Sequence, residues 1–392
     1  MSTTGRQESS TPEPSAIAAQ LREADFVHVV SAQTGDGVAA AGQLVNALDA
    51  QGCPYQTSVV GLPASVTCET DADVTVSTGR PTAQADVTLG TGDRTASESA
   101  FEVAAGFGSA DPVLALAGHL TTGKGCTDRL AGALAEEGIE RRPGVSVPTA
   151  DQLDGLTHST LFHASFSGMP DEARDIFGHL DAFETDRDDT RRLEPDEWRQ
   201  LASALALVVA REGTERGAID VERSLRPYVA GPFETVGGYG DVLDAVAYDR
   251  PGRALTLAVA CGDTSDALDC WREHGTRVHG AIREANTGRY NGLFVVRCPG
   301  ETPLEPVARL LAAYRAPEPV TLAIADGRAV AVANSEGAVD VGTTMAETAT
   351  ALDGTGDGTR TRARAVFEGE ASEFVLEFRD QCRTENGTTR HT

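Results

Sequence analysis

Lysine is almost absent from this chain: Lys124 is the only one in 392 residues, and every other basic side chain is arginine. The 59 acids outweigh the 33 bases and leave a formal net charge of −26. In dilute buffer such a surface would repel nucleic acid. However, the acids are spread along the chain and not gathered in a tail, which fits a protein built for multimolar salt. Counterion release contributes little there, so the charge does not exclude a nucleic-acid partner. No apolar run reaches the roughly 18 residues a membrane helix needs, so no membrane association is expected. Met1 to Pro14 is polar and lacks the basic start and apolar stretch of a secretion signal. The expected location is the cytoplasm. The seven cysteines form no CxxC pair and read as small buried hydrophobes, not as a zinc site. The eight histidines form no HxxxH or HExxH pair.

What is present begins at Phe26. Phe26 to Val30 is a short, β-branched apolar run, the pattern of a buried parallel strand. Thr34-Gly35-Asp36-Gly37 is a turn in which Asp36 is a candidate helix N-cap. Val38 to Leu48 then carries apolar residues at helical spacing. Strand candidates follow at Tyr55 to Val60, Asp73 to Val76 and Ala85 to Leu89, with a helix at Ser97 to Phe107. A short helix at Ser15 to Ala24 precedes the first strand. This rhythm predicts a parallel sheet flanked by helices, with ligands at the carboxyl ends of the strands.

The stretch from Phe26 to Gly42 resembles the first motif of the DHH phosphoesterases, and the longer match, over most of residues 20 to 380, is similar to their archaeal RecJ-like branch. In that family the strand ends in His-x-Asp-x-Asp-Gly and the residues bind catalytic Mn2+ or Mg2+. Here those positions are Ala32, Thr34 and Asp36, followed by Gly37. The second motif falls on Ser77. The third, Asp-His-His, falls on Gly90-Thr91-Gly92. A further metal-binding Asp falls at the end of the helix from Asp111, where this chain has Gly118-His119-Leu120-Thr121-Thr122. The resemblance leaves Asp36 as a metal-ligand candidate, with His119 and Asp93 as outside candidates. Asp71 and Asp73 precede their strand and belong to the opposite edge of the sheet.

Leu153 to Pro170 resembles the linker between the two domains of these nucleases, with His158 and His163 expected to pack. A charged run, Glu184 to Arg192, marks a boundary before a helix from Pro195 to Ala210. Arg226 to Ala247 and Leu257 to Asp263 also match the archaeal pattern, and a long helix covers Ser265 to Asn286. Strands at Leu293 to Arg297, Val320 to Ile324, Ala329 to Ala333 and Glu373 to Phe378 then alternate with helices at Pro303 to Tyr314 and Val339 to Leu352. This resembles the small α/β domain that closes over nucleic acid. The family's Arg after the strand pair is replaced by Asn334. Its phosphate-gripping Gly-Gly-His loop reads Gly354-Thr-Gly356-Asp-Gly358-Thr359-Arg360-Thr-Arg362-Ala-Arg364. Gly37, Gly356, Gly358, Thr359, Arg360 and Arg362 are the candidate phosphate contacts, and the arginines could equally pair with surface acids.

The expected fold is therefore α/β, with a parallel-sheet DHH-type domain over 16–185, a helical connector over 186–290 and a DHH-associated domain over 291–380. Residues 1–15 and 381–392 are read as tails. Two-metal phosphodiester cleavage needs several carboxylates and imidazoles around paired cations, and Asp36 alone is too few. The resemblance thus implies a protein that has lost the nuclease. Such a protein would be a scaffold or single-strand binder in replication or repair, similar to the RecJ-derived subunit of the eukaryotic replicative helicase. Its partners would be GINS, the MCM helicase or an active RecJ-like paralogue, and no cofactor is expected. The alternative is an active single-strand exonuclease or phosphoesterase using Mn2+ or Mg2+ at a reduced site. A nucleotide sensor without chemistry is a third possibility.

Overall fold

The computed structural model describes residues 13–61, 70–80, 85–90, 93–180, 183, 193–259, 262–334 and 339–388. The charged run Glu184 to Arg192 and the turn residues Thr91 and Gly92 lie outside the described residues.

The amino-terminal part runs α1 (Pro14–Glu23), β1 (Val27–Ala32), α2 (Gly35–Gln51), β2 (Tyr55–Val60), β3 (Val74–Thr78), β4 (Val87–Leu89), α3 (Ala96–Ala105) and α4 (Pro112–Thr121). The strands form one parallel sheet in the order β2-β1-β3-β4, with Val27 beside both Tyr55 and Val74. Every residue of β1 and β3 is buried, which is why their sequences read as continuous apolar or small runs without alternation. Ile17 and Leu21 of α1 pack with Val27, Val29, Leu44 and Val76 into one core. At the amino edge of the sheet, Asp73 accepts hydrogen bonds from the backbone N–H groups of Asp25 (3.1 Å) and Phe26 (2.9 Å).

Helices dominate the middle: α5 (Asp128–Glu136), α6 (Gln152–His158), α7 (Pro170–Phe177), α8 (Pro195–Glu212), α9 (Glu215–Ser224), α10 (Val236–Asp249), α11 (Pro251–Ala258) and α12 (Thr264–Glu284). The segment resembling a linker is itself core. Phe162, Phe166 and Phe177 are fully buried with Leu201 of α8 and Val278 of α12. Asp241 on α10 ties it down. Its carboxylate accepts from Ser159 Oγ (2.9 Å), Thr160 Oγ1 (2.6 Å) and the indole N–H of Trp271 (2.9 Å). His163 stacks on His279 of α12, with ring centroids 5.3 Å apart. His158 meets the Asp154 carboxylate at 2.9 Å.

The carboxyl-terminal part comprises β5 (Asn286–Tyr290), β6 (Leu293–Arg297), α13 (Leu304–Tyr314), β7 (Val320–Ala325), β8 (Arg328–Ala333), α14 (Val341–Ala351), β9 (Thr355–Gly358), β10 (Arg362–Val366) and α15 (Ala371–Thr388). Its sheet order is β5-β6-β7-β8-β10-β9, with β6 and β7 parallel and the other pairs antiparallel. Along β7 the side chains alternate between cores. Leu322 and Ile324 join α14 and α15, while Ala323 and Ala325 face α13 and the helical middle. The α/β architecture expected from the sequence, a parallel sheet joined to a second α/β unit, is what forms.

Two local readings are corrected. Glu373 to Phe378 is not a strand but the first half of α15. Phe374, Phe378 and Cys382 recur every four residues and are buried, whereas Leu376 is 52% exposed, as helical and not alternating spacing requires. Asp36 does not cap its own helix. Thr34 does, accepting from the Gly37 N–H at 3.1 Å.

Candidate functional site

Parallel α/β sheets place loops and helix N-termini together at the carboxyl ends of their strands. Here that edge gathers Ala32, Thr34 and Gly37 after β1, Ser77 to Arg80 at β3, and the carboxyl end of α4. Gly37 is demanded by packing: a Cβ there would lie 2.7 Å from the Ala32 carbonyl oxygen. The turn therefore keeps its glycine whether or not a ligand binds.

Asp36 is buried and its carboxylate is engaged. Oδ2 accepts from the Ala96 N–H (2.9 Å), and Oδ1 accepts from the Ser97 N–H (2.9 Å) and the Ser97 hydroxyl (2.6 Å). The side chain thus closes the N-terminus of α3, a place where anionic caps are favoured. Burial raises its pKa, opposed by the Ser97 and Ala96 bonds and by His119. His119 uses both ring nitrogens, Nδ1 against Thr95 Oγ1 (3.0 Å) and Nε2 against the Gly125 carbonyl (2.8 Å). A carbonyl can only accept, so the network assigns a proton to Nε2. Asp93 is exposed, and its backbone carbonyl accepts from Lys124 Nζ.

The hydroxyls at this edge also turn inward. Ser77 Oγ bonds Thr88 Oγ1 (3.0 Å), and Thr78 Oγ1 bonds the Gly37 carbonyl (2.8 Å). Thr121 and Thr122 donate to the α4 carbonyls of Gly118 and His119, each at 2.7 Å.

The carboxyl-terminal hairpin faces this edge. The glycine-rich stretch predicted as a loop is the pair β9–β10, and Gly356 is there because a Cβ would meet the Met345 carbonyl of α14 at 2.7 Å. Gly358 lies equally close to Arg362 and Ala363 of the paired strand. Thr359 and Arg360 occupy the exposed turn, where Arg360 stands 3.8 Å from Asp340. Arg362 points inward. A Cβ on Gly123 would sit 2.8 Å from its Nη2, and the charges of Glu305, Arg309 and Asp244 act on it. Burial pulls its pKa down, and the two acids counter that. Asn334, the replaced arginine position, donates to the Glu318 carbonyl at 3.0 Å.

Three contributors were invisible to sequence reasoning. Asp244 on α10 accepts from the Gly35 N–H at 2.8 Å, and burial, with Glu305 nearby, raises its pKa. Arg80, at the end of β3, pairs with Asp357 of β9, and Arg364 lies 3.5 Å from the same carboxylate. Arg309 on α13 donates to the Thr160 carbonyl at 3.0 Å. The glycines preceding Asp244 in α10 signalled close helix packing, but nothing local says that Gly35, 209 positions earlier, is its partner.

The Mn2+ or Mg2+ pair implied by the resemblance does not fit these residues. Ala32 and Thr34 offer no anionic donor, Asp36 is consumed by α3, and His119 is consumed by Thr95 and Gly125. Among the described residues, no three His, Cys, Asp or Glu side chains converge as a metal site would require. What stands at this edge instead is guanidinium beside carboxylate: Arg362 within the field of Asp244 and Glu305, and Arg80 and Arg364 around Asp357.

A family described as "Uncharacterized protein rrnAC1427, C-terminal domain" matches residues 285–380. The protein of that name from Haloarcula marismortui is 47% identical over 382 residues, covering 97% of this chain and 100% of the relative. Among solved structures, CDC45 from Entamoeba histolytica superposes with a TM-score of 0.61 at 8% identity, covering 94% of this chain and 98% of that one. RecJ from Thermus thermophilus in complex with Mg2+ gives a TM-score of 0.48 at 13% identity, and the match covers 96% of this chain and 52% of that longer one. Among the described residues no helix is long and apolar enough to cross a membrane. The CDC45 match shows the fold, and by its identity along nearly the whole length the chain belongs to the rrnAC1427 family.

Proposed function

We propose that this protein is a RecJ-like member of the DHH superfamily without nuclease activity, acting as a scaffold or single-stranded nucleic-acid binder in replication or repair. The observation that carries this reading is the state of Asp36. The one acid retained from the first motif spends its oxygens on Ala96 and Ser97. Arg362 of the carboxyl-terminal hairpin then stands beside Gly123, where a metal cage would need acids. In this reading a DHH-like domain over 16–185 and a DHH-associated domain over 291–380 enclose a strand of nucleic acid. Arg362 would meet a phosphate inside the cleft, with Thr359 and Arg360 at its mouth and Gly37, Gly356 and Gly358 holding the backbone close. GINS, the MCM helicase or an active RecJ-like paralogue are the proposed partners, in the cytoplasm of a salt-adapted cell.

The test is a labelled single-stranded DNA incubated with the purified full chain in concentrated salt with Mn2+ or Mg2+. The expected result is a shift in fluorescence anisotropy with no shortening of the strand, weakened by Arg362→Ala. Metal-dependent degradation that disappears in Asp36→Ala would instead establish the alternative, an active nuclease with a reduced site.

A further inference from the structure

The chain is acidic overall, yet one surface reverses the balance. A cavity of about 990 Å³ opens between α4, residues 141–146, α8, α9 and the amino end of α10. Arg141, Arg199, Arg223 and Arg226 line it against one acid, Glu222. The whole chain, by contrast, has 59 acids to 33 bases. Leu120, Ala202 and Leu225 supply an apolar lining over the fully buried Leu116 and Val236, and Ile219 is left 47% exposed at its side. On α8, Leu207 lies one turn from the lining residue Ser203 and is 61% exposed. The cavity shares α4 and α10 with the cleft but uses other residues. Thr121 and Asp244 face the cleft, whereas Leu116, Leu120 and Val236 face here.

Arg226 is held for display. Its φ of 57° lies in the left-handed region, which costs a non-glycine residue about 1 kcal/mol. The strained backbone is pinned at both ends. Its N–H donates to the Gly144 carbonyl (3.1 Å), and its own carbonyl accepts from Arg141 Nε (2.7 Å). Arg141 also donates to the Leu225 carbonyl (3.0 Å) and lies over the Tyr228 ring, 5.8 Å from its centroid. Among the described residues no acid stands within ion-pair distance of Arg226 or Arg141. Among the described residues Arg199 and Arg223 pair only with Asp196 and Asp220 on their own helices. Exposed pairs of that kind are weak and easily exchanged for another carboxylate.

We infer that this cavity docks an acidic peptide segment of a partner protein, with a large apolar side chain on the floor and carboxylates at the arginine rim. The apolar floor matters because salt screens exposed charges, so carboxylates alone would hold poorly. Nucleic acid is the poorer match. Tyr228 is the one aromatic ring among the lining residues, and Arg141 covers its face, leaving no platform for a base. The guanidinium groups also come from three separate segments around an open cavity, as a chain of carboxylates would need.

The test uses the full chain and a fluorescein-labelled peptide of alternating Asp and Glu with two central Phe residues. A copy with Ser for Phe and a labelled oligo-dT are the companion probes. We expect the Phe-containing peptide to bind more tightly than its Ser copy. Joint reversal by Arg223→Glu and Arg226→Glu should weaken it about tenfold while leaving oligo-dT binding unchanged. Arg226→Gly relieves the left-handed backbone, so its melting temperature should hold or rise while peptide affinity falls, a split that a purely structural arginine would not give. The inference is overturned if the wild-type chain does not bind the peptide. It is overturned equally if the reversed and glycine variants bind the peptide like the wild type, or if the reversal weakens oligo-dT and spares the peptide.

Discussion

Asp36 and Asp241 are both buried aspartates, and their comparison separates position from capacity. Asp36 lies at the sheet edge where a catalytic metal would be sought, and Asp241 lies deep in the helical middle. Both are engaged through both oxygens, one by the amino end of α3 and the other by Ser159, Thr160 and Trp271. Asp244, three residues from Asp241, differs from both: among the described residues its carboxylate accepts only from the Gly35 N–H, and Arg362 lies opposite. A carboxylate at an active-site position is a metal ligand only if it has lone pairs to give. By that measure Asp36 is a structural staple, and Asp244 is the acid with spare capacity.

Removing each acid would sharpen that ranking. Asp241→Ala should cost the most, about 3–5 kcal/mol in chemical denaturation, because it strands a buried indole N–H and two hydroxyls. Asp36→Ala should cost about 2–3 kcal/mol through the lost closure of α3. A negligible cost there would break the assignment of Asp36 as a staple. Acidification probes the neighbouring histidine pair. Burial, reinforced by Arg315 and Arg283, lowers His163 to about 4, and His279 falls well below its ordinary value, with burial the main cause and His163 the next. Folded-state pKa values below the unfolded 6.5 mean that the unfolded chain takes up protons first. Stability is therefore whole above pH 6.5 and declines toward pH 4, by about 3 kcal/mol from His163 alone. Asp36 and Asp244 oppose this, since burial raises their pKa and favours the folded state as they protonate. His163→Phe should flatten the decline in thermal unfolding curves recorded across that window. Asp244→Asn should be the mildest change, under about 1 kcal/mol, because an amide oxygen can still accept from Gly35.

The strand, turn and helix between Phe26 and Gln51 were legible because buried parallel strands and Ala-rich helices write their own pattern. The same approach failed at Glu373 to Phe378. Four Phe, Val and Leu residues among six satisfy a strand, and only Cys382, farther on, reveals the four-residue repeat of a helix. Thr34 and Asp36 were exchanged as caps because both are good N-cap residues and only the backbone conformation decides between them. The glycine-rich stretch read as a loop because its glycines answer to close neighbours, Gly356 to α14 and Gly358 to the paired strand β10. Within the site, the positions of Asp36, His119 and Arg362 could be found locally. Their partners could not: Ser97, Thr95 and Asp244 are separated from them by tens to hundreds of residues.

The central claim is that the cleft beside Asp36 cannot seat a pair of catalytic cations. Calorimetric titration of the purified full chain with Mn2+, alongside Asp36→Ala, tests it most directly. The expected result is weak, unsaturable heats from surface carboxylates, identical in the two proteins. Stoichiometric uptake of paired ions by the wild type, abolished in Asp36→Ala, would contradict it.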